Sequence, residues 1–230
     1  MTQSTLMAFD TVFDQCSVAI MQAGCLVYEE TIAGKRGQTE LILPMIEKAF
    51  TKQGLDFSAI ECFAFNRGPG AFSGIRINTA VVQALSAATG APCVGVSSLE
   101  VLAECAYQTQ QLPQGTIIGA AMDARQEQVY FGQFVVAQQG VCPIVEQHNP
   151  YGNECLLDYN SNITADVVVG DGAALITTQA KILTLTPSAA DIARLAWIKF
   201  CQGQAVAANQ ALPVYLRDNA WKTLAEQGKA

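Results

Sequence analysis

The string Arg67-Gly68-Pro69-Gly70-Ala71-Phe72-Ser73-Gly74-Ile75-Arg76 is the clearest means this chain has of meeting an anion. It falls between a predicted strand and a predicted helix. Glycines there let backbone N–H groups approach a ligand, and a helix N-terminus favours negative charge. The spacing is not that of a G-x-x-x-x-G-K-[ST] loop, and no lysine is placed to reach a phosphate. A Gly-Pro-Gly turn feeding a helix accounts for the same residues without any ligand. Two carboxylates form a second set of candidates. Asp10 closes the apolar run Leu6-Met7-Ala8-Phe9, and Asp123 closes the run from Thr116 to Met122. A carboxylate at a strand end is commonly a turn former or a cap.

Other chemistries find little material. His148 is the sole histidine, so it is the only candidate imidazole base, and no G-x-S-x-G elbow is present. The eight cysteines (16, 25, 62, 93, 105, 142, 155 and 201) include no C-x-x-C pair. Most lie in apolar segments such as Cys62-Phe63-Ala64-Phe65, which reads as reduced core thiols. One histidine and no cysteine pair argue against zinc or iron ligation. The 230 residues carry a net charge of −7, and the thirteen Lys and Arg never cluster beyond Lys35-Arg36. A protein that grips an RNA backbone by itself presents a basic face, so any service to RNA is expected to run through a partner. No apolar run approaches the ~20 residues of a membrane span. No signal peptide is read at the start, so the expected location is the cytoplasm, with no membrane partner.

The elements that must position these residues follow from apolar pattern and turn chemistry. Strands are predicted at 6–10, 16–21 and 26–31, the last two joined by a Gln22-Ala23-Gly24 hairpin turn. A helix is predicted over 38–52 with Thr39 as N-cap and Pro44 tolerated near its start. A buried strand at 62–66, a helix over 73–89 closed by Gly90, a strand at 93–96 and a helix over 99–107 complete a first unit. The polar stretch 108–115 carries Pro113 and Gly115 and marks a linker. Strands at 116–122, 129–136 and 141–145 then repeat the opening pattern, Met122-Asp123 echoing Phe9-Asp10. An irregular stretch over 149–166, a strand at 167–170, a helix over 188–202 and an extended segment at 213–217 finish the chain.

Two such units resemble paired ribonuclease-H-like subdomains, the duplicated α/β architecture of the actin, sugar-kinase and Hsp70 group. The expected division is residues 1–107, a linker at 108–115, and a smaller, degenerate second subdomain over 116–230. In that group ATP sits between the halves against the two aspartate-tipped hairpins. The resemblance therefore marks Asp10, Thr11 and Asp123, with Gly170 and Gly172 of the Gly170-Asp171-Gly172-Ala173 turn, as a vestigial nucleotide site. Neither hairpin carries the glycine pair that lets phosphate come close.

As a family signature the Arg67–Arg76 string is more specific. Its residues Gly68, Pro69, Gly70, Ser73, Gly74 and Arg76 are similar to the Gly-Pro-Gly-Ser-Phe-Thr-Gly-Val-Arg segment of the TsaB (YeaZ) family, with Ala71 and Ser73 as mild changes. Phe9-Asp10-Thr11, Ile42-Leu43-Pro44-Met45-Ile46, Gly95-Val96-Ser97-Ser98-Leu99, Asp123-Ala124-Arg125 and Pro213-Val214-Tyr215-Leu216-Arg217 agree with the family in the same order, so the resemblance covers nearly the whole chain. TsaD, the catalytic relative, holds a metal through a His-x-x-x-His pair. The matching positions here are Ser98 and Leu102, a hydroxyl and an isobutyl group that cannot replace two imidazoles. Ser98 is expected to be an N-cap and Leu102 core.

The resemblance implies a non-catalytic subunit with no metal or nucleotide of its own. Such a subunit pairs with TsaD or with itself as a homodimer. With the ATPase TsaE it supports threonylcarbamoyl transfer to adenosine 37 of tRNA, with ATP, ADP and metal brought by partners. The helix over 38–52 is apolar on more than one stripe, and the helix over 73–89 carries alanines at helical spacing. Both faces can be covered within the fold. The resemblance favours an interface through Leu41, Met45, Ile77, Ala80, Ala84 and Ala87. The competing expectation is an independent ATP-dependent enzyme using Asp10 and Asp123 around magnesium.

Overall fold

A computed structural model of the chain describes residues 4–34, 36–144 and 154–217. Val145, His148, the start of the stretch expected to be irregular, and residues 218–230 lie outside the described residues.

The first half is one five-stranded sheet. Strands β1 (Thr5–Asp10), β2 (Gln15–Gln22) and β3 (Cys25–Ala33) form an antiparallel meander, followed by helix α1 (Gln38–Gln53). Strand β4 (Cys62–Asn66), helix α2 (Phe72–Thr89), strand β5 (Cys93–Val96) and helix α3 (Ser98–Gln110) follow. The order is β3-β2-β1-β4-β5, with β4 parallel to both β1 and β5. The second half repeats this order with β6 (Ile117–Arg125), β7 (Gln128–Ala137), β8 (Gly140–Pro143), β10 (Val167–Val169) and β11 (Lys181–Leu183), arranged β11-β10-β6-β7-β8. Both halves are thus ribonuclease-H-like.

The second half is the poorer copy. Where the first has α1, the second has strand β9 (Glu154–Asp158), antiparallel to the first half of β7. Where the first has α2, the second has one 3-10 turn over Ala173–Leu175. Strand β9 corrects the expectation of an irregular run there, and β11 is a strand the sequence pattern did not disclose. At three residues, β11 is too short for alternation to show.

The caps of α1 and α3 differ from expectation. Helix α1 is capped by Gly37 in the left-handed region (φ 89°), so Thr39 lies inside the helix. Helix α3 is capped by Ser97, whose hydroxyl accepts from the Leu99 amide at 3.2 Å, and Ser98 is the first helical residue. It runs on through Gln110, so residues 108–110 of the expected linker are helical.

Helix α4 (Ala189–Cys201) starts at a capping box in which Ser188 and Asp191 bond reciprocally. It packs on β1 and β2 of the first sheet, while α3 packs on β6, β7 and β8 of the second. Each helix therefore covers the other half's sheet. One apolar core runs through both, from Leu6, Ala8 and Ala19 through Leu99 and Leu102 to Ile118, Val169, Ile192 and Leu195. A second core lies under α1 and α2 on the outer face of the first sheet, around Phe9, Ile42, Ile46, Phe63 and Phe65. Among the described residues no helix is long and apolar enough to cross a membrane.

Candidate functional site

The signature string is a loop locked onto the β1–β2 turn. A Cβ on Gly74 would stand 2.2 Å from the Thr11 carbonyl oxygen, and one on Gly70 would stand 2.4 Å from Val12 Cγ1. Neither approach leaves room for a side chain. The Thr11 hydroxyl donates to the Gly74 carbonyl at 2.7 Å. Gly68 has φ 98°, and the Gly68–Pro69 bond is cis. Arg76 stacks on its neighbour: its guanidinium lies 3.8 Å above the Phe72 ring on the exposed side, where Ser73 is exposed as well.

Beneath the loop lies a polar network sealed in the core. Asp10 is fully buried and accepts from the Val12 and Phe13 amides at 3.2 Å each. Asn66 donates to Asp10 at 3.0 Å and accepts from the Ser98 hydroxyl at 2.6 Å and the Gly68 amide at 3.0 Å. Burial pushes the Asp10 carboxyl up to about 6, against the two amides and Asn66, which lower it. Asn66 was not singled out from sequence. Its signal is an amide side chain ending a strand of otherwise apolar residues, Cys62-Phe63-Ala64-Phe65.

A cleft of about 380 Å³ separates the two halves. Its walls are Val12, Phe13 and Asp14 of the first turn, Leu102 of α3, and Met122, Asp123 and Arg125 of the second hairpin. Of the five residues marked as a nucleotide site, only Asp123 lines it. Asp10 and Thr11 point into the fold. Gly170 and Gly172 are spacers, since Cβ atoms there would come within 2.2 Å of the Ala121 oxygen and 2.7 Å of the Met122 carbonyl carbon. Burial pushes the Asp123 carboxyl up, but the Arg125 amide, the Tyr159 hydroxyl at 2.8 Å and the Arg125 guanidinium at 2.6 Å bring it below the usual carboxylate range. Asp171 accepts from the Asp123 amide at 3.0 Å. The cleft thus presents Asp14, Asp123 and Asp171 beside Arg125 and beside Gly70 and Ala71 of the signature loop.

At the TsaD-like metal positions, Ser98 is fully buried in the Asn66 network and Leu102 is core. No group of three His, Cys, Asp or Glu residues among the described residues could hold a metal ion. Arg217, quoted only within a motif, works as a strut. Its guanidinium donates to the Ala124 and Arg125 carbonyls at 3.2 Å each and to the Gln126 side chain, while the Val214 amide donates to the Arg67 carbonyl at 2.8 Å. The 213–217 segment ties the signature loop to the second hairpin.

The outer surface of α1 and α2 has a different character. Ala80, Ala84, Ala87 and Ala88 are all exposed, and Leu43 of α1 is 56% exposed. Leu41 and Ile77 are half-buried against the outer core. Met45 is buried within that core and contributes nothing to the surface. The stripe at i, i+4 and i+7 offers small side chains over which another helix can come close.

The family model for TsaD, tRNA N6-adenosine threonylcarbamoyltransferase, matches residues 31–223. The chain is 31% identical to the tRNA threonylcarbamoyladenosine biosynthesis protein TsaB of Escherichia coli (strain K12), over 95% of this chain and 97% of that one. It is 29% identical to the TsaB protein of Haemophilus influenzae, over 97% and 98%. The solved structure of YeaZ from Pseudomonas aeruginosa superposes with a TM-score of 0.82 at 32% identity, covering 93% of this chain and all of that one. Near-complete coverage in sequence and in structure places this chain in the TsaB (YeaZ) family.

Proposed function

We propose that this chain is the non-catalytic, cytoplasmic partner of a TsaD homologue in tRNA threonylcarbamoyladenosine biosynthesis. It docks through the exposed faces of α1 and α2. A TsaE homologue supplies ATP turnover, and the complex transfers threonylcarbamoyl to adenosine 37 of tRNA. The TsaB family name supports the pathway. The observation that carries the docking role is the open stripe of Ala80, Ala84, Ala87 and Ala88 on α2, with Leu43 exposed on α1, on helices whose inner faces pack on the outer core.

The chain's own chemistry supports a subunit without catalysis. Asp10, Thr11 and Ser98 spend their polar atoms on the fold. The net charge of −7 supports tRNA contact through the partner rather than through this chain. A homodimer through the same stripe would compete with the TsaD homologue for it. The test is reconstitution with the organism's TsaD and TsaE homologues, ATP, threonine, bicarbonate and tRNA, with the enzyme that makes the threonylcarbamoyl donor. Product formation should require this chain, and the chain should co-elute with the TsaD homologue. Full activity without it, or separate elution, overturns the proposal.

A further inference from the structure

A pocket of about 330 Å³ opens at the β5 edge of the first sheet, apart from the inter-sheet cleft and from the alanine stripe. The stretch after α4 closes it. Cys93 and Val206 form an antiparallel bridge, their amides and carbonyls exchanging bonds of 2.7 and 2.8 Å. Gln83 then donates to the Ala211 carbonyl at 2.9 Å, which pins the same stretch to α2. Phe65 and Leu212 supply apolar wall, and Arg67, Lys199 and Gln210 supply donors.

Arg67 is the unusual member. Its Nε is sealed from solvent and has no hydrogen-bond partner among the described residues. A buried donor left unmade is costly, and the planar guanidinium fork matches an oxyanion better than any other group. Glycine at 95 lets the Arg67 stem and the Phe65 ring lie directly against β5 at the pocket wall: a Cβ there would stand 3.3 Å from Arg67 Cδ and 3.2 Å from the Phe65 ring. Gln210 uses its oxygen to accept from the Ala207 amide, so its NH₂ group is available to donate. Lys199 gives one of its three donors to Glu100 at 2.7 Å. That pair is self-compensating. Glu154 stands within electrostatic reach of Arg67 and Lys199, and burial pushes its carboxyl above the ordinary range, which blunts its opposition to an anion.

We propose that this pocket binds a small molecule through one carboxylate or phosphate group held by Arg67 and Gln210, with an apolar body lying between Phe65 and Leu212. The volume sits at the lower end of the roughly 300–1,000 Å³ of small-molecule sites, which suits a ligand no larger than a mononucleotide. The proposal is independent of the pairing with a TsaD homologue.

The experiment is a set of NMR titrations of the ¹⁵N-labelled full chain with acetate, inorganic phosphate and adenosine monophosphate, each at fixed ionic strength in chloride. At least one probe should give saturable shifts centred on the Gly95, Val206 and Gln210 amides, with a Kd on the order of 1 mM or tighter. Saturation by acetate assigns a carboxylate, and saturation by phosphate or the nucleotide assigns a phosphate. Arg67→Met should weaken binding about tenfold or more, the loss expected for a hydrogen bond to a charged group. Gln210→Met, on an exposed turn and harmless to folding, should weaken it about threefold. Lys52→Met, remote on α1, should change nothing. Shifts that stay linear to tens of millimolar for all three probes, on the order of ten times that Kd, overturn the site. So does binding that Gln210→Met leaves unaltered, whether or not Arg67→Met folds.

Discussion

A carboxylate shut off from water holds its charge at a cost, and Asp10 is shut off completely. Burial raises it from 3.8 to about 6 although two backbone amides and Asn66 favour the ionised form. The folded state therefore keeps this proton to a higher pH than the unfolded chain does. Stability from Asp10 is fully present below about pH 4 and is lost as pH rises through 6, by up to about 3 kcal/mol. Glu104, Glu154 and Asp191 are raised by burial with the same sign, so whole-protein curves will not isolate Asp10. The difference between wild type and Asp10→Asn in urea unfolding will. That difference should move against wild type as pH goes from 4 to 6.5, and a flat or opposite trend would show that Asp10 is ionised freely in the fold. Gly74 supports a second prediction. Gly74→Ala must push a methyl into the Thr11 carbonyl 2.2 Å away, against backbone that cannot swing aside. It should destabilise by about 2 kcal/mol or more in thermal or urea unfolding, whereas Ser73→Ala, exposed one residue earlier, should stay within about 0.5 kcal/mol. The sequence made the signature string visible but not what it touches. Gly70 and Gly74 are glycines because the β1–β2 turn presses on them, a contact 60 residues distant in the chain that no local pattern encodes.

At the scale of elements, apolar period and turn chemistry were enough wherever the period had room to show. Helix α2 begins one residue before its expected start, at Phe72, and β4 and β5 coincide with their expected bounds. The failures have local causes. Thr39 and Ser98 are good capping types, but Gly37 and Ser97 stand where the chain actually turns. Strand β9 was missed because its residues alternate weakly and owe their conformation to pairing with β7. Burial on the two outer helices grades the expected interface residues, with Leu41 and Ile77 half-buried between the extremes. Met45 belongs to the core, and Ala84 belongs to the surface. That placement sharpens a test. Ala84→Arg, mid-helix and exposed, should leave circular dichroism and melting within about 0.5 kcal/mol of wild type. In the complex it would set a long cation against an apolar contact, and loss of a well-packed centre costs ~2 kcal/mol or more. Co-elution with the TsaD homologue should therefore be lost. A variant that still co-elutes normally would move the interface off this stripe.

For the whole molecule, the exchange of α3 and α4 between halves decides how it folds. A reading by repeats divides the chain at the 108–115 linker. The packing does not divide there. The inner face of the first sheet, with Leu6, Ala8, Ala19 and Met21 at most 4% exposed, is covered by α4, which lies after the second sheet in the chain. The second sheet in turn leans on α3, and the segment after α4 returns to β5 and the signature loop. Each half is thus missing a layer that the other supplies, and a sheet needs its apolar face covered to be stable. A fragment of residues 1–115 keeps all five strands of the first sheet and helices α1 and α2 over its outer face, yet uncovers its inner face and leaves α3 with nothing to pack on. Such a contiguous apolar surface favours association over a native monomer. The fragment should lack near-ultraviolet circular dichroism and a cooperative urea transition, or should aggregate. Full-length protein should unfold in one transition by fluorescence and circular dichroism alike, since one core spans both halves. Mixing the two fragments should restore structure to the extent that α4 finds the first sheet. A fragment that folds cooperatively alone would mean that β1–β5 with α1 and α2 suffice, and that α4 contributes shape rather than stability.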